Sequence, residues 1–147
     1  MMMTTKPETI FSHKTPIQIR FNDIDILAHV NNSVYQNYFD MARLRYFEKV
    51  FDQKMNWKER ALVLAKITIE YLNPIFLEEE IVVLSKVYKL GNKSLQMKQE
   101  IINVTTNEIK ANNDAILVAF GSKENGAILL PNDWRNKIIN YENDLSL

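Results

Sequence analysis

Between residues 20 and 45 the chain reads RFNDIDILAHVNNSVYQNYFDMARLR, placing two aspartates, a histidine and two adjacent asparagines directly before a long stretch without glycine or proline. An aspartate is an anion at neutral pH unless burial prevents it, so Asp25 can attack an electrophilic carbon or take a proton from water. Seven residues later, Asn32 falls where a helix begins. First-turn amides have no partner within their helix and sit at its positive end, which suits an oxyanion. Carboxylate and donor would then stand on either side of one carbonyl.

Each of these residues also has an ordinary structural reading. An aspartate ahead of a helix is more often a turn or capping residue than a catalyst. Asp23 is read that way, binding loop amides or pairing with Arg20. His29 could move a proton near neutral pH, but a histidine at a helix start is more often a hydrogen-bonded structural group, so it is a minor candidate. Asp23, Asp25 and His29 could be taken for a metal set, yet three ligand types in one loop specify no ion, and no metal is expected. Tyr35 either packs in the core or lines a tunnel. Lys93 and Ser94 could meet phosphates, although a turn lysine is usually just solvated.

The elements that position these groups follow from periodicity. PIQIRFN, residues 16–22, alternates Ile17, Ile19 and Phe21 against polar residues and predicts a first strand. From Asn32 to about Gln53, Tyr35, Tyr38, Phe39, Ala42, Tyr46 and Val50 share one helical face, with Asn31 and Asn32 suited to capping its start. Ala61, Val63, Ala65, Ile67, Ile69 and Tyr71 predict a long second strand ended by Asn73-Pro74. Residues 80–90 and 94–103 predict a strand pair around Gly91-Asn92, two residues that tolerate positive φ. A fifth strand, Glu108 to Gly121, carries Asn112-Asn113-Asp114 as a bulge or short turn. Pro131 then opens a helix through about Tyr141, with Trp134 and Ile138 on one face. An apolar helix cannot stay exposed, so the strands are expected to curl around it in an α+β domain.

Composition limits the function classes. A chain of 147 residues fits one domain, expected over 1–147 with an extended segment at 1–14 and a terminal helix at 131–142. Eighteen basic and 18 acidic residues give zero formal charge. Such balance removes the electrostatic footprint for nucleic acid or an anionic membrane. With no cysteine there is no disulfide framework or thiolate site, and a reducing compartment is permitted. No stretch approaches the ~20 apolar residues of a membrane span, and the first residues do not read as a signal peptide. A cytoplasmic location is the expectation.

Residues 20–45 closely resemble the pattern R-x-x-D-x-D-x-x-G-H-V-N-N-x-x-Y of hotdog-fold acyl-CoA thioesterases of the 4-hydroxybenzoyl-CoA thioesterase-like family. Arg20, Asp23, Asp25, His29, Val30, Asn31, Asn32, Tyr35 and Arg43 carry the match, and ITIEYLNP, LGNKS and the Leu-Pro before the last helix extend it over nearly the whole chain. Ala28 stands where that family usually has Gly, and Leu77-Glu78-Glu79 stands where a Gly-Asp turn is common. Ala28 costs little at negative φ and is strained at positive φ.

The resemblance implies a hotdog fold, a curved antiparallel sheet of about five strands around one long helix. It implies hydrolysis of an acyl-CoA to a carboxylate and free CoA, with Asp25 as nucleophile or general base and the Asn32 backbone N–H as oxyanion donor. Val30, Asn31, Tyr35, Lys93 and Ser94 become candidate substrate contacts. No cofactor is expected beyond the CoA of the substrate, and sites between protomers imply a homodimer or homotetramer. The rivals are a non-catalytic acyl-CoA-binding hotdog protein and a hotdog dehydratase, which needs a histidine with a carboxylate.

Overall fold

The structure is a computed structural model that describes residues 9–52 and 56–145. It contains β1 (His13–Ile17), α1 (Tyr35–Phe51), β2 (Arg60–Tyr71), β3 (Ile81–Leu90), β4 (Ser94–Asn103), β5 (Ile109–Gly121), a two-residue β6 (Gly126–Ala127) and α2 (Asn132–Glu142). The strands form one antiparallel sheet in the order β1-β3-β4-β5-β2, with β6 added to β5. β2 is therefore an edge, and its outer backbone row faces no strand among the described residues.

The aromatic stripe of α1 is buried against this sheet as its periodicity requires. Tyr35, Phe39 and Ala42 pack on Ile81, Val83, Ile101 and Ala111 at one end. Phe47 and Phe51 pack on Met97, Leu117 and Trp134 at the other. Phe51 stacks on Trp134 with centroids 5.3 Å apart, so α2 closes the core through the face carrying Trp134 and Ile138. Burying one such aromatic removes 150–250 Å² from water, about 4–6 kcal/mol before ordering entropy is subtracted.

Several expected boundaries move, each for a local reason. The first strand covers residues 13–17 and not 16–22, because Asp23 folds back onto the Arg20 N–H at 3.0 Å and turns residues 21–23 into a short 3₁₀ helix. Phe21 is consequently 79% exposed. Residues 1–8 of the expected N-terminal segment lie outside the described residues, and residues 13 and 14 belong to β1. α1 is preceded by a 3₁₀ turn over Asn32–Val34 and ends at Phe51, where Asp52 takes the left-handed conformation at φ 53°. The expected end at Gln53 lies outside the described residues.

The single alternation read along β2 is broken. Leu64 pairs with Leu117 and Lys66 with Ile116, so Ala65 is an extra residue that flips the phase. Leu62 and Leu64 face the core before this bulge, and Ile67 and Ile69 after it, leaving Val63 exposed.

Asn112-Asn113-Asp114 does not interrupt β5: these residues pair in register with Glu70, Ile69 and Thr68. The irregularity lies earlier, opposite Ile101 and Ile102, which pair with Ala111 and Ile109. The β3–β4 hairpin forms as expected but without positive φ at Gly91 or Asn92. Glycine is favoured there by crowding, since an added Cβ would lie 3.2 Å from the Ser94 carbonyl oxygen.

Candidate active site

The motif folds into a small closed loop. Ile24 bridges Val30, the Asp25 N–H donates to the His29 carbonyl at 3.0 Å, and the Ala28 N–H donates to the Asp25 carbonyl at 3.0 Å. Ala28 closes the loop at φ 69°. It thus occupies, with a Cβ, the left-handed region that favours glycine. Asp25 Oδ1 accepts from the Leu27 N–H at 2.9 Å and lies 4.0 Å from His29 Nδ1. Asp25 is thus a turn residue whose Oδ1 is tied to the loop, while it and His29 keep part of their surface open to solvent.

Asp23 has the structural role expected of it. It is 3% exposed, accepts from the Tyr38 hydroxyl at 2.6 Å, and its carbonyl accepts from the Asn31 N–H at 2.9 Å. Burial first, then the bond to this carboxylate, drives the Tyr38 phenol far above its ordinary pKa. With Asp23 turned into the core, the trio Asp23, Asp25 and His29 does not converge. Among the described residues no three His, Cys, Asp or Glu side chains are placed to hold a metal ion.

Asn31 caps the helix start, its Oδ1 accepting from the Ser33 N–H at 2.9 Å. The Asn32 carbonyl accepts from the Tyr71 hydroxyl at 3.2 Å. Its N–H, at the first position of the 3₁₀ turn, makes no hydrogen bond among the described residues, as expected of a helix-start donor. A cleft of about 170 Å³ opens here, lined by His29, Asn32 and Tyr35 together with Tyr71, Leu72, Asn73 and Pro74. The Tyr35 and Tyr71 rings meet edge to face at 5.0 Å, and burial pushes the Tyr35 phenol up.

The segment after β2 supports this cleft from behind. The Val30 N–H donates to the Ile75 carbonyl at 2.8 Å, so the fully buried Val30 ties the loop to this segment. Lys110, 3% exposed, donates to the Pro74 carbonyl at 3.1 Å and pairs with Glu79 at 2.7 Å. Burial alone would raise the Glu79 carboxyl, but hydrogen bonds from Lys110, Asn103 and the Phe76 N–H outweigh it and hold it below the usual range. Glu79 Oε1 accepts that Phe76 N–H at 2.9 Å, so the Leu77-Glu78-Glu79 turn closes without glycine.

His29, Asn32 and Tyr35 line the cleft, with Asp25 4.0 Å from His29 and Asn31 capping the helix start, but Lys93 and Ser94 are elsewhere within one chain. Ser94 pairs with Val118 and Tyr71 with Ala111. Those positions on β5 are seven residues, or about 23 Å, apart. Tyr71 and Asn73 were not singled out from sequence as site residues; the signal available was their place at the end of β2, beside Asn73-Pro74. A larger depression of about 390 Å³, among Thr68, Lys98, Asn112 and other polar residues, offers no apolar wall.

The thioesterase-like superfamily profile matches residues 19–138, which include the loop, the cleft and the strands β2 to β5. The chain belongs to the thioesterase-like superfamily. That membership places it among the thioester hydrolases. FadM of Escherichia coli K12, a long-chain acyl-CoA thioesterase, is 27% identical over 126 residues, 85% of this chain and 96% of FadM. The uncharacterized YsmA of Bacillus subtilis 168 is 30% identical over 90 residues, 61% of this chain, and the match spans only 60% of YsmA. A thioesterase from Thermus thermophilus, solved with coenzyme A and Zn, superposes with a TM-score of 0.81 at 29% identity, covering 92% of this chain and 98% of that one. The curved sheet around one long helix is the expected hotdog fold. No helix among the described residues is long and apolar enough to cross a membrane.

Proposed function

We propose that this protein hydrolyses acyl-CoA thioesters with Asp25 as nucleophile or general base and the Asn32 backbone N–H as oxyanion donor. The observation that supports this reading is a partly open Asp25 carboxylate, steadied by the Leu27 N–H and 4.0 Å from His29, which lines the cleft together with Asn32, whose helix-start amide has no partner among the described residues. Hydrolysis needs a group that delivers the attacking oxygen and a donor for the charge that grows on the carbonyl oxygen. Asp25 supplies the first, and the positive helix end the second. His29, 4.0 Å from Asp25, would relay a proton to the departing thiolate. Asn31 fixes the first turn, and Tyr35 walls the acyl side.

The chemistry requires no metal or redox cofactor, and an aqueous, cytoplasmic setting fits the absence of cysteine. A homodimer or homotetramer is part of the proposal, because the β2 edge is a liability unless another chain covers it. Such an assembly would also let Lys93 and Ser94 reach the CoA bound to a neighbouring protomer.

The test is thiol release from a panel of short, long and aromatic acyl-CoAs by wild type and by Asp25→Asn. The nearly isosteric variant is expected to keep its fold and lose most turnover. Wild-type kcat in a folded Asp25→Asn protein would defeat the assignment, and appearance of an unsaturated acyl product would point to dehydration instead.

A further inference from the structure

We propose that Lys110 is a positioning residue for substrate binding, its buried ammonium fixing the Leu72–Pro74 wall of the cleft before a ligand arrives; the ligand's identity as an acyl-CoA rests on the reading above. Two segments line that cleft. His29, Asn32 and Tyr35 belong to the motif loop and helix start, which the hydrogen bonds within residues 25–29 and the Asn31 cap close on themselves. Tyr71, Leu72, Asn73 and Pro74 belong to the end of β2 and the connection after it. Of residues 71–77 only Ile75 is buried, so apolar packing does little to hold this wall.

Lys110 holds the wall by both of its ends. Its carbonyl accepts from the Leu72 and Asn73 N–H groups at 2.9 and 3.0 Å, and its Nζ donates to the Pro74 carbonyl at 3.1 Å. Nζ also lies 2.7 Å from Glu79 and 2.5 Å from Glu108, so the three hydrogens of the ammonium have three acceptors. Glu79 in turn accepts from the Phe76 N–H. Burial opposes the charge on Lys110, but the bonds to Glu108 and Glu79 outweigh it and raise its pKa, so the group stays an ammonium through the neutral range.

The backbone of β5 is irregular at this residue. Ala111 pairs with Ile101 and Ile109 with Ile102, which leaves Lys110 as an extra residue in the strand. A regular strand would send the side chain beside Ala111 to the opposite face, but across this bulge Lys110 and Ala111 are both buried. Stability gives little reason for such an inward lysine, because well-packed apolar residues in place of a buried ion pair are often as stable or more so. What the ammonium supplies, and an apolar side chain cannot, is a donor to the Pro74 carbonyl. A wall fixed in advance need not be ordered when a ligand binds.

Lys110→Met/Glu79→Gln tests the role, since it removes the ammonium without stranding a buried carboxylate and keeps an oxygen for the Phe76 N–H. The double variant is expected to melt close to wild type and to exchange the amide hydrogens of residues 71–77 faster. Its KM for acyl-CoA should rise roughly tenfold, the cost of ordering about one residue on binding, with kcat little changed. Because a change at this buried pair can cost the fold, a second measurement uses wild type alone. Amides 71–77 are followed by hydrogen exchange with and without S-octyl-CoA, a thioether with no carbonyl to hydrolyse. Slow exchange already present without the thioether is the expected result.

Fast exchange in wild type that slows only with the thioether would mean that the ligand itself orders the wall, and would overturn the proposal. So would a folded double variant with unchanged KM, whether or not its melting temperature falls, because the pair would then serve stability alone. A lowered kcat with KM intact would place the effect of Lys110 on the motif loop and overturn the role at the wall. If wild type hydrolyses no CoA thioester, the catalytic reading falls, and faster exchange at 71–77 in the double variant still upholds the hold of Lys110 on the wall. Normal hydrolysis with exchange unaltered by the double substitution would do the reverse.

Discussion

The Tyr71 hydroxyl donates to the Asn32 carbonyl at 3.2 Å, while the N–H of the same peptide unit, on Ser33, is held by Asn31 Oδ1 at 2.9 Å. The last residue of the edge strand and the helix cap therefore grip one peptide from both ends. The preceding N–H, that of Asn32, makes no hydrogen bond among the described residues.

Tyr71→Phe should loosen this grip with little loss of stability, because the bond is exposed and a typical net hydrogen bond is worth about 0.5–1.5 kcal/mol. The expected outcome is a kcat lowered a few-fold, with KM for acyl-CoA nearly unchanged. Steady-state kinetics beside a thermal melt checks it. An unchanged kcat would show that the helix start needs no support from β2.

Asn32→Ala removes a side chain but leaves the backbone N–H, so its effect on turnover should be small beside that of Asp25→Asn. Loss of a true oxyanion donor costs roughly 100- to 1,000-fold in kcat, about 2.7–4 kcal/mol. A folded Asn32→Ala protein with a defect of that size would indicate a side-chain donor. By contrast, Asn31→Ala should cost ~1 kcal/mol of stability as a lost cap.

Ala28→Gly should stabilise the protein. An L-residue in the left-handed region costs roughly 1–2 kcal/mol. Glycine returns about 0.4–1 kcal/mol of that through greater freedom of the unfolded chain, leaving a net gain of up to about 1.5 kcal/mol. Denaturant midpoints of the two proteins measure it, and a less stable Ala28→Gly protein would contradict the strain argument.

Glu142 gives stability a pH dependence. It is 6% exposed, accepts from the Tyr46 hydroxyl and lies 3.3 Å from the Val87 N–H, with Lys86, Asp144 and Tyr141 as its charged or titratable neighbours. Burial pushes its carboxyl up, and the Tyr46 bond and Lys86 only partly offset this. The folded state then binds this proton more tightly than the unfolded chain. Its contribution is full below the ordinary glutamic acid range and is lost as pH rises through the raised value. Glu142→Gln should flatten that decline across mildly acid to neutral pH. Scanning calorimetry at several pH values decides it, and parallel profiles for the two proteins would refute the role of Glu142.

The sequence by itself determined the main elements and marked the candidate loop. Periodicity located α1, the long strands and α2 because a helix or strand must bury one face, and that requirement is local. The motif marked Asp25 and Asn32 because the order of residues around a turn and a helix start is also local. What only the tertiary structure decided depends on strands distant in sequence. β5 set the phase of β2 by leaving Ala65 unpaired, and Tyr71 reached the Asn32 carbonyl across 39 positions. Lys110 steadied the Pro74–Glu79 segment from β5, and Lys93 and Ser94 were carried to the far end of the sheet. Register is a property of pairs of strands, and no pattern within one strand encodes it.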